Sequence, residues 1–182
     1  VYNINGQLKA INSPHVIGFT DPGNDSPSTT GFKEDVFGMI IDYHIDDYNR
    51  KESSLSYGLT STSPNNQFNG NIGSIRWNNA IPSAPTADTY NYSYNKNNWL
   101  SGAVYGTSNA EEIVITDINT GQPYNTGKYK PEFTQDANQD YEVSNITYDE
   151  NGNIVTLKRN GVTDTNGNNA MDEFTYHYKE DK

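Results

Sequence analysis

The chain has 182 residues and no cysteine, which excludes disulfide and thiolate chemistry. Its apolar fraction is 32%, below the usual ~45–50%, yet 14 Tyr, 6 Phe and 2 Trp supply enough ring area for one folded domain. A formal net charge of −11 disfavours a nucleic-acid partner, and no apolar run approaches the ~20 residues of a membrane-spanning helix.

In chain order, residues 1–12 predict a hairpin: a Tyr2 strand, a turn at Asn5-Gly6, then Leu8, Ala10 and Ile11. Asn-Gly between strand-like runs is the strongest short-range hairpin signal, and the type I′ turn it suggests needs positive φ at both central residues. Residues 13–31 read as a loop rich in Pro, Ser, Thr and Gly. Residues 35–48 predict the longest apolar strand, buried on both faces, because Val36, Phe37, Ile40, Ile41, Tyr43 and Ile45 are strand formers. Residues 49–66 read as a polar loop. Phe68 to Trp77 carries a second turn at Asn69-Gly70, and residues 78–88, with Pro82 and Pro85, read as a linker. From Thr89 to Tyr94 the period is two, with Tyr90, Tyr92 and Tyr94 on one face and Asn91 and Ser93 on the other. Glu112 to Ile118 is a further strand with a turn at Asn119-Thr120-Gly121. Residues 120–140 read as irregular, 141–159 as a hairpin, 160–172 as a polar loop and Phe174 to Tyr178 as the last strand. No helix longer than about two turns is supported, and no internal domain boundary appears. The predicted fold class is all-β, built from consecutive antiparallel hairpins.

One phrase recurs through these elements: Tyr, a polar run with Asn or Gly, then apolar residues. Its clearest copy runs from Tyr148-Asp149-Glu150-Asn151-Gly152-Asn153 into Ile154-Val155. Tyr94-Asn95-Lys96-Asn97-Asn98-Trp99-Leu100 is a second and Tyr2-Asn3-Ile4-Asn5-Gly6-Gln7-Leu8 a third. The spacing between copies is unequal, which excludes a solenoid of fixed period and suits hairpins with loops of variable length. The chain contains 26 Asn, the residue that best tolerates left-handed backbone in such turns. The phrase is already under way at Val1, and Tyr178 restarts it close to Lys182, so the chain reads as a segment of a longer protein.

Candidate chemistry is sparse. His15, His44 and His177 share no metal-binding spacing. Asp42, His44 and Asp46 would share one face of a strand and could hold a metal, but a solvated strand face explains them more simply. Asp164-Thr165-Asn166-Gly167-Asn168 with Asp172-Glu173 has the composition of a calcium loop, but Gly and Glu fall out of register, which favours a polar hairpin loop. Asp21-Pro22-Gly23 reads as a turn rather than a cleavage site. The sequons at Asn24, Asn91 and Asn145 are expected by chance in so Asn-rich a chain. The tyrosines could form a sugar platform, but their recurrence at one motif position favours cross-strand packing. No cofactor motif is present, and no acidic pair has the apolar setting that raises a catalytic carboxyl pKa.

The Tyr148-Asp149…Gly152-Asn153 copy, with Leu157 and then Tyr178, resembles the Tyr-Asp (YD) repeat of the Rhs, or rearrangement hotspot, family. That family includes teneurins and the C component of Tc toxins. Tyr94-Asn95 and Tyr2-Asn3 replace the Asp by Asn. The stretches Phe37 to Tyr43, Phe68 to Trp77 and Tyr94 to Leu100 are similar to the version found in large Bacteroidota surface proteins. The resemblance implies a strip of hairpins spiralling into a hollow shell, secreted or at the cell surface. Such a shell encloses a C-terminal toxin or serves as an extracellular scaffold. It implies a non-catalytic role, with Tyr2, Tyr94, Tyr148 and Tyr178 as packing anchors beside Trp99 and Asp149, and turns at Asn5-Gly6, Asn69-Gly70 and Asn151-Gly152. The implied partners are neighbouring repeats of the same chain, a toxin cargo and a secretion machinery, type IX for a Bacteroidota origin, with no cofactor, nucleic acid or membrane insertion. The residues themselves leave open an adhesin or carbohydrate-binding module using Tyr90 and Tyr92, or an enzyme using Asp42 and Asp46.

Overall fold

The computed structural model describes residues 2–12, 37–44, 47, 65–79, 86–116 and 123–178. The strands are β1 (Ala10–Ile11), β2 (Gly38–Asp42), β3 (Ser74–Asn78), β4 (Thr86–Tyr94), β5 (Leu100–Thr116), β6 (Pro123–Gln135), β7 (Val143–Tyr148), β8 (Ile154–Asn160) and β9 (Ala170–Thr175). They form one antiparallel sheet, ordered β1-β2-β3-β4-β5-β7-β8-β9. The fold is all-β, as the alternation and turn residues dictate, and no described residue is helical. β5 is the hinge of the topology. One edge pairs with β4, while the other is shared between β7 at Ala103 and β6 from Gly106 to Thr116.

The strand expected from Glu112 begins at Leu100, because it pairs with β4 from that residue on, and four further boundaries differ for a pairing reason. The strand expected over 35–48 ends at Asp42, because the chain turns at His44–Asp47: the Asp47 N–H donates to the His44 carbonyl (3.2 Å) and Asp47 Oδ2 accepts the Tyr43 N–H (2.8 Å). The linker expected over 78–88 is trimmed at both ends, since Asn78 pairs with Gly38 and Asp88 with Trp77. Residues 123–135, expected to be irregular, form β6. Pro131 is tolerated because, among the described strands, β6 pairs only with β5, and a proline fits an edge strand. β9 begins at Ala170, inside the expected loop, because Glu173 and Asp172 stand opposite Lys158 and Arg159, and opposite charges support cross-strand pairing. The loops expected at 13–31 and 49–64, the Asp21-Pro22-Gly23 turn, His15, Asn24, Asp46 and the Asn119-Thr120-Gly121 turn lie outside the described residues.

The two faces of the sheet differ in chemistry. In β3, Ser74, Arg76 and Asn78 are buried while Ile75 and Trp77 are half-buried. Register places Asp42, Ile40 and Gly38 of β2 opposite them, with Asn91 and Thr89 of β4 on the other side. One face of β2–β4 is therefore buried and largely polar. The other carries Ile75, Trp77, Tyr90, Tyr92 and Tyr105.

Candidate functional site

The recurring phrase folds into one turn, built five times. Asn3, Asn95, Asp136, Asp149 and Asp164 each open it, and the Oδ1 of each accepts two backbone N–H groups, two and four residues on. The donors are Asn5 and Gln7 (3.0 and 2.9 Å), Asn97 and Trp99 (2.9 and 3.1 Å), Asn138 and Asp140 (3.0 and 3.1 Å), Asn151 and Asn153 (2.9 and 2.8 Å), and Asn166 and Asn168 (2.8 and 2.9 Å). The third position is Asn in every copy. The fourth has positive φ: Gly6 74°, Asn98 63°, Gln139 58°, Gly152 85° and Gly167 83°. The expected type I′ turn is therefore corrected. Asn5 and Asn151 keep ordinary φ, and only the residue after them is left-handed, as in a three-residue loop closed by an αL residue. A carboxamide or carboxylate gripping two amides fixes this longer turn. At Asn69-Gly70 the opening position is Gln67, and only the Asn71 N–H reaches Asn69 Oδ1 (3.0 Å), although Gly70 still has φ 91°.

The tyrosines tie these turns together. The Tyr94 hydroxyl donates to the Ile72 carbonyl (2.8 Å), Tyr148 to Leu100 (2.7 Å), Tyr178 to Ile154 (2.8 Å) and Tyr43 to Leu8 (3.1 Å). Every acceptor is the residue that follows a turn: Leu8 after Gln7, Ile72 after Asn71, Leu100 after Trp99, Ile154 after Asn153. Each phenol thus reaches back to the carbonyl just past an earlier turn, a rung contributing about 1 kcal/mol. Trp99 packs on Tyr148 at 5.0 Å, and Asn71 Nδ2 donates to the Asn98 carbonyl (3.2 Å). Tyr2 holds the same place before Asn3, yet is 67% exposed.

The acidic residues singled out in the sequence are occupied. Asp42 lies neither on a solvated face nor among metal ligands. It is fully buried, with Lys9 at 2.6 Å, Arg76 at 3.2 Å and Ser74 Oγ at 2.8 Å. Asp47 completes the cluster, 2.8 Å from Lys9. Burial raises the Asp42 pKa, but the Arg76 and Lys9 charges outweigh it and leave the carboxyl below its ordinary value. His44 stacks on Phe68 instead, at 4.7 Å. No three His, Cys, Asp or Glu side chains among the described residues could hold a metal together. Asp164, the first residue of the candidate calcium loop, spends its Oδ1 on the Asn168 and Asn166 N–H groups, and these bonds lower its pKa. The Asn153 side chain and backbone do the same for Asp149.

The tyrosine face is packed rather than laid open. Trp77 and Tyr90 stack at 5.8 Å, Tyr90 and Tyr92 at 6.1 Å, so their ring faces meet one another. Tyr90 donates to the Tyr141 carbonyl (2.9 Å) and Tyr105 to Asp88 (2.6 Å). Burial, with Tyr90 and Tyr94 nearby, pushes the Tyr92 pKa up to about 12. A flat sugar platform needs open ring faces, which this arrangement uses internally.

Sequence reasoning placed a polar hairpin loop at Asp164–Asn168 without its cap, and missed the turn at Asp136 and the buried Lys9–Asp42–Arg76 cluster. The signal for the turns was Asn two residues after an Asp. For the cluster there was only the alternation of Arg76 with Ser74 and Asn78. In comparisons with known proteins, no family model, curated protein or solved structure matches the chain.

Proposed function

We propose that this chain is a non-catalytic structural element, a hairpin strip of the Rhs/YD-repeat kind in a secreted or cell-surface bacterial protein. Its wall would enclose a C-terminal effector or stand as an extracellular scaffold, and its partners would be neighbouring hairpins. The observation that carries this reading is the set of four tyrosine rungs. The recurrent tyrosine hydroxyls join one hairpin to an earlier one, which is the chemistry of a wall. The stacked tyrosines favour this over the carbohydrate-module alternative.

The test is the behaviour of the isolated chain. Among the described strands β9 pairs only with β8, and exposed Met171 and Phe174 lie along it, with exposed Tyr176 just past its end. An unpaired apolar edge recruits other strands. Self-association in sedimentation velocity is expected, together with a higher melting temperature when further hairpins are fused beyond β9. A monomer that melts cooperatively, unchanged by added hairpins, would sink the reading. Location is checked by proteolysis of intact cells: an intracellular protein would survive it.

A further inference from the structure

A groove separates the turn at 3–7 from the turn at 67–70. It has a volume of about 250 Å³ and is lined by Asn5, Gln7, His44, Gln67, Phe68, Asn69 and Gly70. We propose that it binds one neutral sugar ring, resting its C–H face on the open side of the exposed Phe68 ring, the side turned away from His44. This site is separate from the tyrosine face and does not rest on the wall reading.

Three features carry the inference. Phe68 is 76% exposed, yet its ring is held by stacking on His44 at 4.7 Å and 28°. An oriented, exposed ring is the surface that a sugar's apolar face requires. Apart from Gly70, the rest of the lining is carboxamide. Four side chains that can both donate and accept match hydroxyl groups, which also do both, and the lining contains no Asp, Glu, Lys or Arg to select an ion. The Gln7 amide is fixed, because its Oε1 accepts Asn3 Nδ2 (2.9 Å). A Cβ at Gly70 would come within 3.1 Å of Gln7 Nε2, so glycine keeps that donor's space clear. The volume falls just below the ~300–1,000 Å³ of pockets for drug-sized ligands, which suits contact with a single ring. Turns rather than a free strand edge form the walls, which disfavours an extended peptide.

The experiment titrates the full chain with glucose, galactose, mannose and N-acetylglucosamine while following the Phe68 and His44 ring signals by NMR. At least one sugar is expected to shift both rings, with a dissociation constant on the order of 1 mM. Phe68→Ala should weaken that binding about tenfold, with the amide spectrum showing the fold intact. Gln67→Ala, a second variant in case the first misfolds, should weaken it severalfold. No ring shift with any of the four sugars overturns the proposal, as does binding unchanged in a folded Phe68→Ala or Gln67→Ala chain.

Discussion

The first three strands and the last three are built from the same hairpin grammar, yet they are held together differently. Strands β1–β3 bury a charged cluster: Lys9, Asp42 and Arg76 are inaccessible to solvent. Strands β7–β9 bury only Ile146 and Asn160. Their cohesion comes from Asx-capped turns, the Tyr148 and Tyr178 rungs, and a surface ion pair between Arg159 and Asp172, whose Nε–Oδ2 distance is 2.9 Å. The contrast teaches that the turn-and-rung unit does not need a covered face. Where a face is covered, the polar residues opposite one another pair, as ions at Lys9, Asp42 and Arg76 and as hydroxyls at Thr89 and Ser108 (2.8 Å). Where it is not, local hydrogen bonds carry the hairpin.

Breaking the covered end should have the largest effect. Asp42→Ala leaves Lys9 and Arg76 buried with fewer counter-charges and should cost about 3–5 kcal/mol in chemical unfolding. The same carboxylate sets an acid limit. Its folded pKa lies below the ordinary value, so its contribution is present above the unfolded pKa of about 3.9 and is lost as pH falls through the folded value. Stability should therefore fall steeply below about pH 4, and Asp42→Ala should flatten that fall.

The open end should be most sensitive at its turn. Gly152 has φ 85°, and a Cβ there would lie 3.0 Å from the Trp99 ring, whereas Gly6 has φ 74° and nothing within 4 Å. Gly152→Ala should cost about 2 kcal/mol and Gly6→Ala about 1 kcal/mol, the difference measuring the contact between successive turns. The smallest effect is expected at Asp172→Ala, which removes an exposed pair and should cost no more than about 0.5 kcal/mol. A loss comparable to that of Asp42→Ala would abolish the contrast between the two ends.

Much of the sheet was legible because period two in Thr89–Tyr94 and Asn-Gly between apolar runs are local signals. Tyr2, Tyr94, Tyr148 and Tyr178 stood out for the same reason: the phrase repeats. What each phenol bonds was not legible. Tyr148 and Leu100 are 48 residues apart, and nothing near either names the other. The buried pairing of Asp42 with Lys9 and Arg76 failed to show for a similar reason. A strand with alternating Ser74, Arg76 and Asn78 reads as having a wet polar face, and only pairing with β2 and β4 reveals that this face is the covered one. β6 was hidden by Pro123 and Pro131, whose strand penalty disappears at an edge.

The most direct test compares tyrosine with phenylalanine at six positions in parallel urea unfolding experiments. Tyr43, Tyr94, Tyr148 and Tyr178 donate to carbonyls that follow turns, while Tyr2 is exposed and the Tyr92 ring is held by stacking. If the phenols link successive hairpins, removing each of the four rung hydroxyls should cost about 1 kcal/mol, and Tyr2→Phe and Tyr92→Phe should be near neutral. Equal, negligible losses at all six positions would show that the hydroxyls do not hold the strip together.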